Sequence, residues 1–127
     1  IRAAGWAPRS IGGLTMGADP VSYAIARASV DAAPIVDAFS VRKAAKEHGT
    51  GRQIEGNFAS GDAVVVIEDV ITSGGSALTA IETIRAAGGS VLGVLAVVDR
   101  EAGGREKIAA GGVPVVALVT AGELGLK

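Results

Sequence analysis

The chain has 127 residues, a net charge of −1, no cysteine and one histidine, and it is 49% hydrophobic but only 3% aromatic. This length allows one domain with an aliphatic core, whereas the charge disfavours a general nucleic-acid-binding surface and the missing cysteine excludes disulfides, a thiolate nucleophile and a zinc–cysteine site. With one histidine, a histidine-based metal cluster is not expected either. The sequence shows no signal peptide and no apolar run of the ~20 residues that span a bilayer, so we expect a cytoplasmic protein.

The first third of the chain predicts a strand, a helix and a second strand. Residues 10–16 predict the first strand, and Asp19 follows as the N-cap of a helix with Pro20 at its first position. Pro34 follows the end of this helix, and residues 35–41 predict the second strand. Four apolar residues recur at helical spacing and predict one apolar face of the helix, namely Val21, Ala24, Ile25 and Ala28.

The rest of the chain continues this alternation. Residues 42–62 are polar and glycine-rich, which predicts a long loop with a short edge strand near Ile54. Residues 63–67 are continuously apolar, as in a parallel strand that is covered on both faces. Alternating strands and helices predict an α/β fold with a mainly parallel sheet, in one domain over residues 1–127. The later elements are a helix marked by Ala77, Leu78, Ile81 and Ile84, a strand at 91–98, a weak helix near 105–110 and a strand at 113–119.

Two carboxylates and a run of small residues follow the strand at 63–67. Glu68 and Asp69 come first, and ligands of open α/β sheets bind at the carboxyl ends of the strands. Residues 72–76 are hydroxyl and glycine residues that lead into a helix, whose first N–H groups and dipole suit a phosphate. The carboxylates can accept hydrogen bonds from vicinal hydroxyls or hold Mg²⁺. This combination indicates a site for a ribose 5-phosphate.

Two common nucleotide-binding patterns do not fit this segment. The phosphate-binding pattern G-x-x-x-x-G-K-[ST] needs a lysine that does not follow Gly74 or Gly75, and the dinucleotide-binding pattern G-x-G-x-x-G does not occur. A strand end followed by an ordinary turn remains the alternative. Strand, acid pair, small residues and helix all occur in order, which favours the phosphate site.

Residues 64–76 resemble the phosphoribosyl diphosphate (PRPP) binding motif of the type I phosphoribosyltransferases. The segment D-V-I-T-S-G at 69–74 is most similar to the orotate phosphoribosyltransferases, which more often have Asp at the position of Glu68. The resemblance implies a type I phosphoribosyltransferase core, with a mainly parallel β-sheet flanked by helices. It also implies a Mg²⁺-dependent transfer of the phosphoribosyl group from PRPP to orotate, giving orotidine 5′-monophosphate and pyrophosphate in de novo pyrimidine (UMP) biosynthesis.

The segment R-K-A-A-K-E-H at 42–48 is similar to the catalytic loop of the orotate enzymes. The alternative is a solvated charged loop. The resemblance implies that its cations stabilise the departing pyrophosphate, and that the loop reaches the neighbouring subunit's site in a homodimer. The implied catalytic residues are Lys46, His48 and Asp69.

The resemblance also implies which residues contact the substrates. Arg100 aligns with the arginine that faces the orotate carboxylate, and Thr72 contacts orotate as well. Residues 12–20 occupy the place of the pyrophosphate loop, which would use backbone N–H groups around Met16 to Asp19. No metal ligand is assigned to the protein, since Mg²⁺ would bridge substrate oxygens. The implied PRPP-binding residues are Arg42, Lys43, Lys46, His48, Glu68, Asp69, Val70, Ile71, Thr72, Ser73, Gly74, Gly75 and Ser76.

Two alternatives remain open at this point. One is a type I enzyme that uses a purine base, and the other is a PRPP-sensing regulator that binds RNA on the same fold. The loop at 42–48 and Arg100 argue against the first, and the net charge gives no support to the second. Family members carry an N-terminal hood over the base, and we expect this chain, which begins at Ile1, to lack it.

Overall fold

The structure is a computed structural model that describes residues 1–43 and 53–125. A short 3-10 helix at Arg2–Ala4 precedes a series of strands and helices that contains every element predicted above. None of the helices in the described ranges is long and apolar enough to cross a membrane. The elements are β1 (Ser10–Leu14), α1 (Asp19–Asp31), β2 (Asp37–Val41), β3 (Ile54–Gly56), β4 (Ala63–Ile71), α2 (Gly75–Ala86), β5 (Ser90–Asp99), α3 (Gly104–Ala110) and β6 (Val115–Thr120).

The six strands form one sheet in the order β3-β2-β1-β4-β5-β6. All neighbouring pairs are parallel except β2 and β3, which pair antiparallel at one edge. The chain runs outward from β1 to β3, returns to the middle at β4, and then continues outward in the other direction. The order of the strands therefore reverses between β1 and β4, which is where open α/β sheets bind their ligands.

Helices cover both faces of the sheet, and the side chains of β4 alternate between them. Val64 and Val66 belong to a core cluster with residues of α2 and α3. Val65 and Ile67 belong to a second cluster that packs against α1. This double coverage explains why the strand is continuously apolar, and it confirms the mainly parallel α/β architecture.

Strand β4 is longer than the apolar run predicted. Its backbone pairs with β5 as far as Ile71, opposite Asp99, so Glu68 and Asp69 lie within the strand rather than after it. The pairing continues because the ladder uses only backbone groups, and a polar side chain near the exposed end of a strand does not interrupt it.

Two predictions about α1 need correction. The N-cap is Ala18, without a side-chain hydrogen bond to the helix, and the Asp19 carboxylate is instead bound by two hydroxyl groups described below. The predicted apolar face is confirmed in part, since Val21 and Ile25 pack against the second core cluster. Ala24 and Ala28, however, are exposed, whereas Ser22 and Ser29 are buried. The two serines can be buried because each hydroxyl donates to a carbonyl of its own helix or its N-cap.

Candidate functional site

The two carboxylates of β4 lie on opposite faces of the strand and differ in exposure. Glu68 is 5% exposed, whereas Asp69 is exposed to solvent. Adjacent strand residues point to opposite faces, so Glu68 lies on the α2 side with Val66, and Asp69 on the α1 side. Asp69 Oδ1 accepts a hydrogen bond from the N–H of Val70 at 2.8 Å. The Asp69 carboxylate is therefore the one that can receive ligand hydroxyls directly.

The burial of Glu68 changes its protonation. Loss of solvent, with a smaller contribution from the charge of Asp69, raises the pKa of Glu68 to about 7. Both causes disfavour the ionised form. Near neutral pH this carboxyl group is therefore present in both protonation states, and the two adjacent acids are not equivalent.

The loop between β4 and α2 presents backbone N–H groups. Gly74 is the N-cap of α2, with a φ of 86°, and no side chain caps the helix. In the described parts of the chain, the N–H groups of residues 73–77 donate no hydrogen bond, and the first donor is Leu78, to Gly74 O at 3.0 Å. Free N–H groups at a helix start are a ready anion site. The geometry agrees with the phosphate loop predicted at 72–76.

Helix α3 packs directly against this loop. The N–H of Gly104 donates to Thr72 O at 3.0 Å. A Cβ atom at Gly104 would lie 2.4 Å from Thr72 O and 2.7 Å from Gly74 N. Only a glycine fits here, so the start of α3 packs closely against the loop that is predicted to bind phosphate.

The turn between β1 and α1 lies beside the acid pair. A Cβ atom at Gly17 would lie 2.8 Å from both carboxylate oxygens of Asp69. The N–H of Ala18 donates to Leu14 O at 3.4 Å, and that of Asp19 to Met16 O at 3.1 Å. Within the described residues, the N–H groups of Met16 and Gly17 have no acceptor. Of the N–H groups around Met16 to Asp19 that were predicted to contact pyrophosphate, those of Met16 and Gly17 are therefore the candidates.

Arg100 follows the carboxyl end of β5, and its N–H donates to Ile71 O at 2.9 Å. Its side chain is exposed. The preceding residue, Asp99, is buried and accepts a hydrogen bond from the N–H of Glu101 at 2.8 Å. The backbone thus places Arg100 next to the end of β4, where the predicted phosphate loop begins at Thr72.

The cations predicted after β2 are described only in part. Arg42 Nη2 forms an ion pair with Glu55 Oε2 on the neighbouring strand β3, at 2.7 Å. The hydrogen bond to Glu55 raises the pKa of Arg42. Lys43 is exposed. Lys46 and His48 lie outside the described residues.

Several proteins of known identity are similar to this chain, although no protein-family model matches it. An orotate phosphoribosyltransferase of Aquifex aeolicus is 50% identical over 117 residues, which cover 92% of this chain and 64% of that protein. One from Mycobacterium bovis is 48% identical over 123 residues, 97% of this chain and 67% of that protein. The crystal structure of the Mycobacterium tuberculosis enzyme in complex with PRPP is 43% identical, with a TM-score of 0.86, and the match covers 97% of this chain and 69% of that one. The chain belongs to the orotate phosphoribosyltransferase family.

Family membership confirms the predicted type I phosphoribosyltransferase core. The chain spans 64% of the length of the Aquifex aeolicus family member and 65% of that from Streptomyces avermitilis. The fold match with the Mycobacterium tuberculosis family member extends over nearly all of this chain.

Sequence reasoning missed two residues that shape the site of this family member. Gly104 brings the start of α3 close to Thr72, and Glu55 pairs with Arg42. Each acts on a residue more than ten positions away in the sequence. Gly17, which lies against Asp69, was within the predicted pyrophosphate loop.

Proposed function

We propose that this chain forms the PRPP- and orotate-binding core of an orotate phosphoribosyltransferase. The reaction would convert orotate and PRPP to orotidine 5′-monophosphate and pyrophosphate, in de novo pyrimidine (UMP) biosynthesis. One observation carries the proposal: Asp69 and two sets of backbone N–H groups without an acceptor among the described residues, at Met16–Gly17 and at 73–77, lie at the adjacent carboxyl ends of β1 and β4, where the strand order reverses. The Asp69 carboxylate could accept hydrogen bonds from the ribose diol, and the two sets of N–H groups could bind the phosphate groups at the two ends of the ribose in PRPP.

Each part of PRPP would have its own binding element. The 5′-phosphate would accept hydrogen bonds from the N–H groups of 73–77, aided by the positive end of the α2 dipole. The ribose hydroxyls would donate to Asp69, with Glu68 behind it on the other face of β4. The pyrophosphate would lie against Met16 and Gly17.

The base would be held at the other side of the phosphate loop. Arg100 would pair with the orotate carboxylate through two parallel hydrogen bonds, and Thr72 would contact the ring. Orotate N1 would then attack the anomeric carbon and lose its proton to solvent, while the bond to pyrophosphate breaks and its electron pair leaves with the pyrophosphate. The developing negative charge would be stabilised by Arg42, Lys43, Lys46 and His48.

The residues of the site fit a Mg²⁺ ion that arrives with the substrate. Among the described residues, no group of three or more His, Cys, Asp or Glu side chains is placed to hold a metal. Mg²⁺ in phosphate-transfer sites is held by one or two carboxylates together with substrate oxygens, and the exposed Asp69 is such a carboxylate. When bound, the ion would neutralise charge on the pyrophosphate as it leaves.

The functional protein would be a cytoplasmic homodimer whose segment at 42–48 serves the site of the neighbouring subunit. A mixture of two impaired chains, assayed at a PRPP concentration at which neither turns over appreciably alone, tests this arrangement. Lys46→Ala mixed with Asp69→Asn should regain activity, because one mixed site combines an intact segment with an intact Asp69. If subunits exchange and no activity returns, each segment serves its own subunit.

The activity is tested by the loss of orotate absorbance after PRPP and Mg²⁺ are added. The assay is run on this chain and on a chimera in which the chain replaces the matching part of the Aquifex aeolicus relative. Arg100→Ala should raise the KM for orotate about tenfold with little change for PRPP. Arg27→Ala is the control, since Arg27 lies on α1 and pairs only with Asp31 among the described side chains.

Alternative substrates decide between the candidate functions. Uracil, which lacks the carboxylate, should be a poor substrate. Turnover of adenine or hypoxanthine in place of orotate would identify a purine enzyme. PRPP-dependent RNA binding without turnover of any base would identify a regulator instead.

A further inference from the structure

Four polar side chains form a connected cluster between the carboxyl ends of β1 and β2. Thr15 Oγ1 donates to Asp19 Oδ2 at 2.6 Å, and Ser40 Oγ donates to Asp19 Oδ1 at 2.8 Å. Tyr23 OH lies 3.3 Å from Ser40 Oγ. Both carboxylate oxygens of Asp19 are therefore bound by hydroxyl groups, one from its own turn and one from the neighbouring strand.

This cluster closes the turn that follows β1. Thr15 begins the turn and Asp19 ends it, so their hydrogen bond spans Met16, Gly17 and Ala18. The N–H of Thr15 also donates to Val41 O, at the end of β2, at 2.8 Å. Hydrogen bonds to a carboxylate are stronger than those between neutral groups. The turn is thus tied to itself and to β2.

The same turn presents the two open N–H groups described above. Gly17 lies against the Asp69 carboxylate, so a small rotation of the turn would move the N–H groups of Met16 and Gly17 relative to the ribose-binding acid. We propose that Asp19 is a positioning residue, which holds these N–H groups in the orientation that receives the pyrophosphate of PRPP. This inference rests on the proposed function, because it concerns one end of the same substrate.

A purely structural role for Asp19 makes a different prediction. An acid in the first turn of a helix stabilises the helix dipole wherever its side chain points. The Asp19 carboxylate instead accepts hydrogen bonds from Thr15 and Ser40, and among the described residues these hydroxyl groups are its hydrogen-bond partners. Substitutions that remove the hydroxyl groups of Thr15 and Ser40 leave the charge of Asp19 near the start of α1. Such variants therefore distinguish a positioning role of Asp19 from stabilisation of the helix.

The experiment measures the binding of two probes to the 127-residue chain by calorimetry in the presence of Mg²⁺. Inorganic pyrophosphate reports on the turn, and ribose 5-phosphate reports on the phosphate loop and Asp69. Thr15→Val removes one hydroxyl without changing the size of the side chain, and Ser40→Ala removes the other. Thr83→Val is the matched control, because within the described ranges the one hydrogen bond of Thr83 Oγ1 is to Thr79 O, inside α2.

We expect Thr15→Val and Ser40→Ala each to weaken pyrophosphate binding about tenfold, the effect of one charge-assisted hydrogen bond. Binding of ribose 5-phosphate should change less than about twofold, and Thr15→Ser, which keeps the hydroxyl, should restore pyrophosphate binding. The control should bind both probes like the parent chain.

Three results would overturn the inference. Unchanged pyrophosphate binding in both hydroxyl variants would show that the cluster does not position the turn. Equal losses for both probes, together with a lower Tm, would show a structural role only. In these two cases binding by the parent chain leaves the proposed function intact. If the parent chain binds neither probe, the PRPP site itself is wrong and both proposals fall.

Discussion

The candidate site has a centre and an edge that are built differently. The centre comprises the end of β4, the proposed phosphate loop at 72–76 and the start of α3, and its key contacts are between backbone atoms, such as Gly104 N to Thr72 O. The edge comprises β2 and β3, where an Arg42–Glu55 ion pair has side chains 36% and 41% exposed. Packed backbone contacts fix a geometry, whereas an exposed ion pair contributes little energy and is screened by salt. The geometry of the bound ligand should therefore depend on the centre, whereas the edge should contribute to binding mainly through its charge.

The largest effect is expected from a methyl group at the centre. Gly104→Ala would place a Cβ atom 2.4 Å from Thr72 O, so either the phosphate loop or α3 must move. We expect PRPP affinity to fall about 100-fold and the free energy of unfolding to fall by about 1–3 kcal/mol. Calorimetric titration with PRPP and thermal unfolding measure the two quantities.

Gly111→Ala is the matched control for this substitution. Gly111 ends α3 with a negative φ, and the nearest atom to an added Cβ is Ile108 O at 3.4 Å. This variant should bind PRPP like the parent chain. If Gly104→Ala also binds PRPP normally, the packing of α3 does not shape the phosphate loop.

The next effect concerns the exposed acid of the centre. Asp69→Asn removes the negative charge that would accept hydrogen bonds from the ribose hydroxyls, which corresponds to about 1.5–3 kcal/mol, or roughly 10- to 100-fold in PRPP affinity. The Tm should change little because the side chain is exposed. Asp31→Asn, at an exposed site on α1, is the control. A large fall in Tm with normal PRPP binding would assign Asp69 a structural role.

The contrast between centre and edge also explains which features the sequence could predict. The apolar run of β4 and the small residues before α2 are local patterns, so the strand and the helix followed from them, and the phosphate-binding role of the loop between them is a prediction from the same patterns. The pairing of β4 as far as Ile71 depends on β5, and the hydrogen bond from Ser40 to Asp19 joins residues 21 positions apart. Such partners depend on the sheet order, which the local patterns do not determine. The difference in burial between Glu68 and Asp69 also depends on the sheet order, so the sequence did not predict it.

A third prediction uses this difference in burial. The pKa of Glu68 in the folded protein is raised from 4.5 to about 7, so the folded state holds this proton more tightly than the unfolded state. The stabilising effect of the proton is fully present below about pH 4.5 and is lost as the pH rises through about 7. Ionised Glu68 therefore destabilises the fold above that range.

Glu68→Gln removes this titration while keeping the shape of the side chain. We expect the variant to be more stable than the parent chain by about 2–3 kcal/mol near pH 8, with almost no difference near pH 4. Urea unfolding at a series of pH values measures the difference. A stability gain that is the same at every pH would show that Glu68 does not titrate as its burial requires.

The smallest effect is expected at the edge. Arg42 shares its charge with Glu55, so Glu55→Gln should leave more of that charge for pyrophosphate and raise PRPP affinity about two- to threefold at low salt. Arg42→Ala should lower it by a similar factor, and both effects should shrink at high salt because exposed charges are screened. Asp31→Asn again serves as the control, since it breaks an ion pair far from the site at Arg27. If Glu55→Gln lowers PRPP affinity as much as Arg42→Ala does, the ion pair acts as one unit that holds Arg42 in place, and the edge contributes geometry as well as charge.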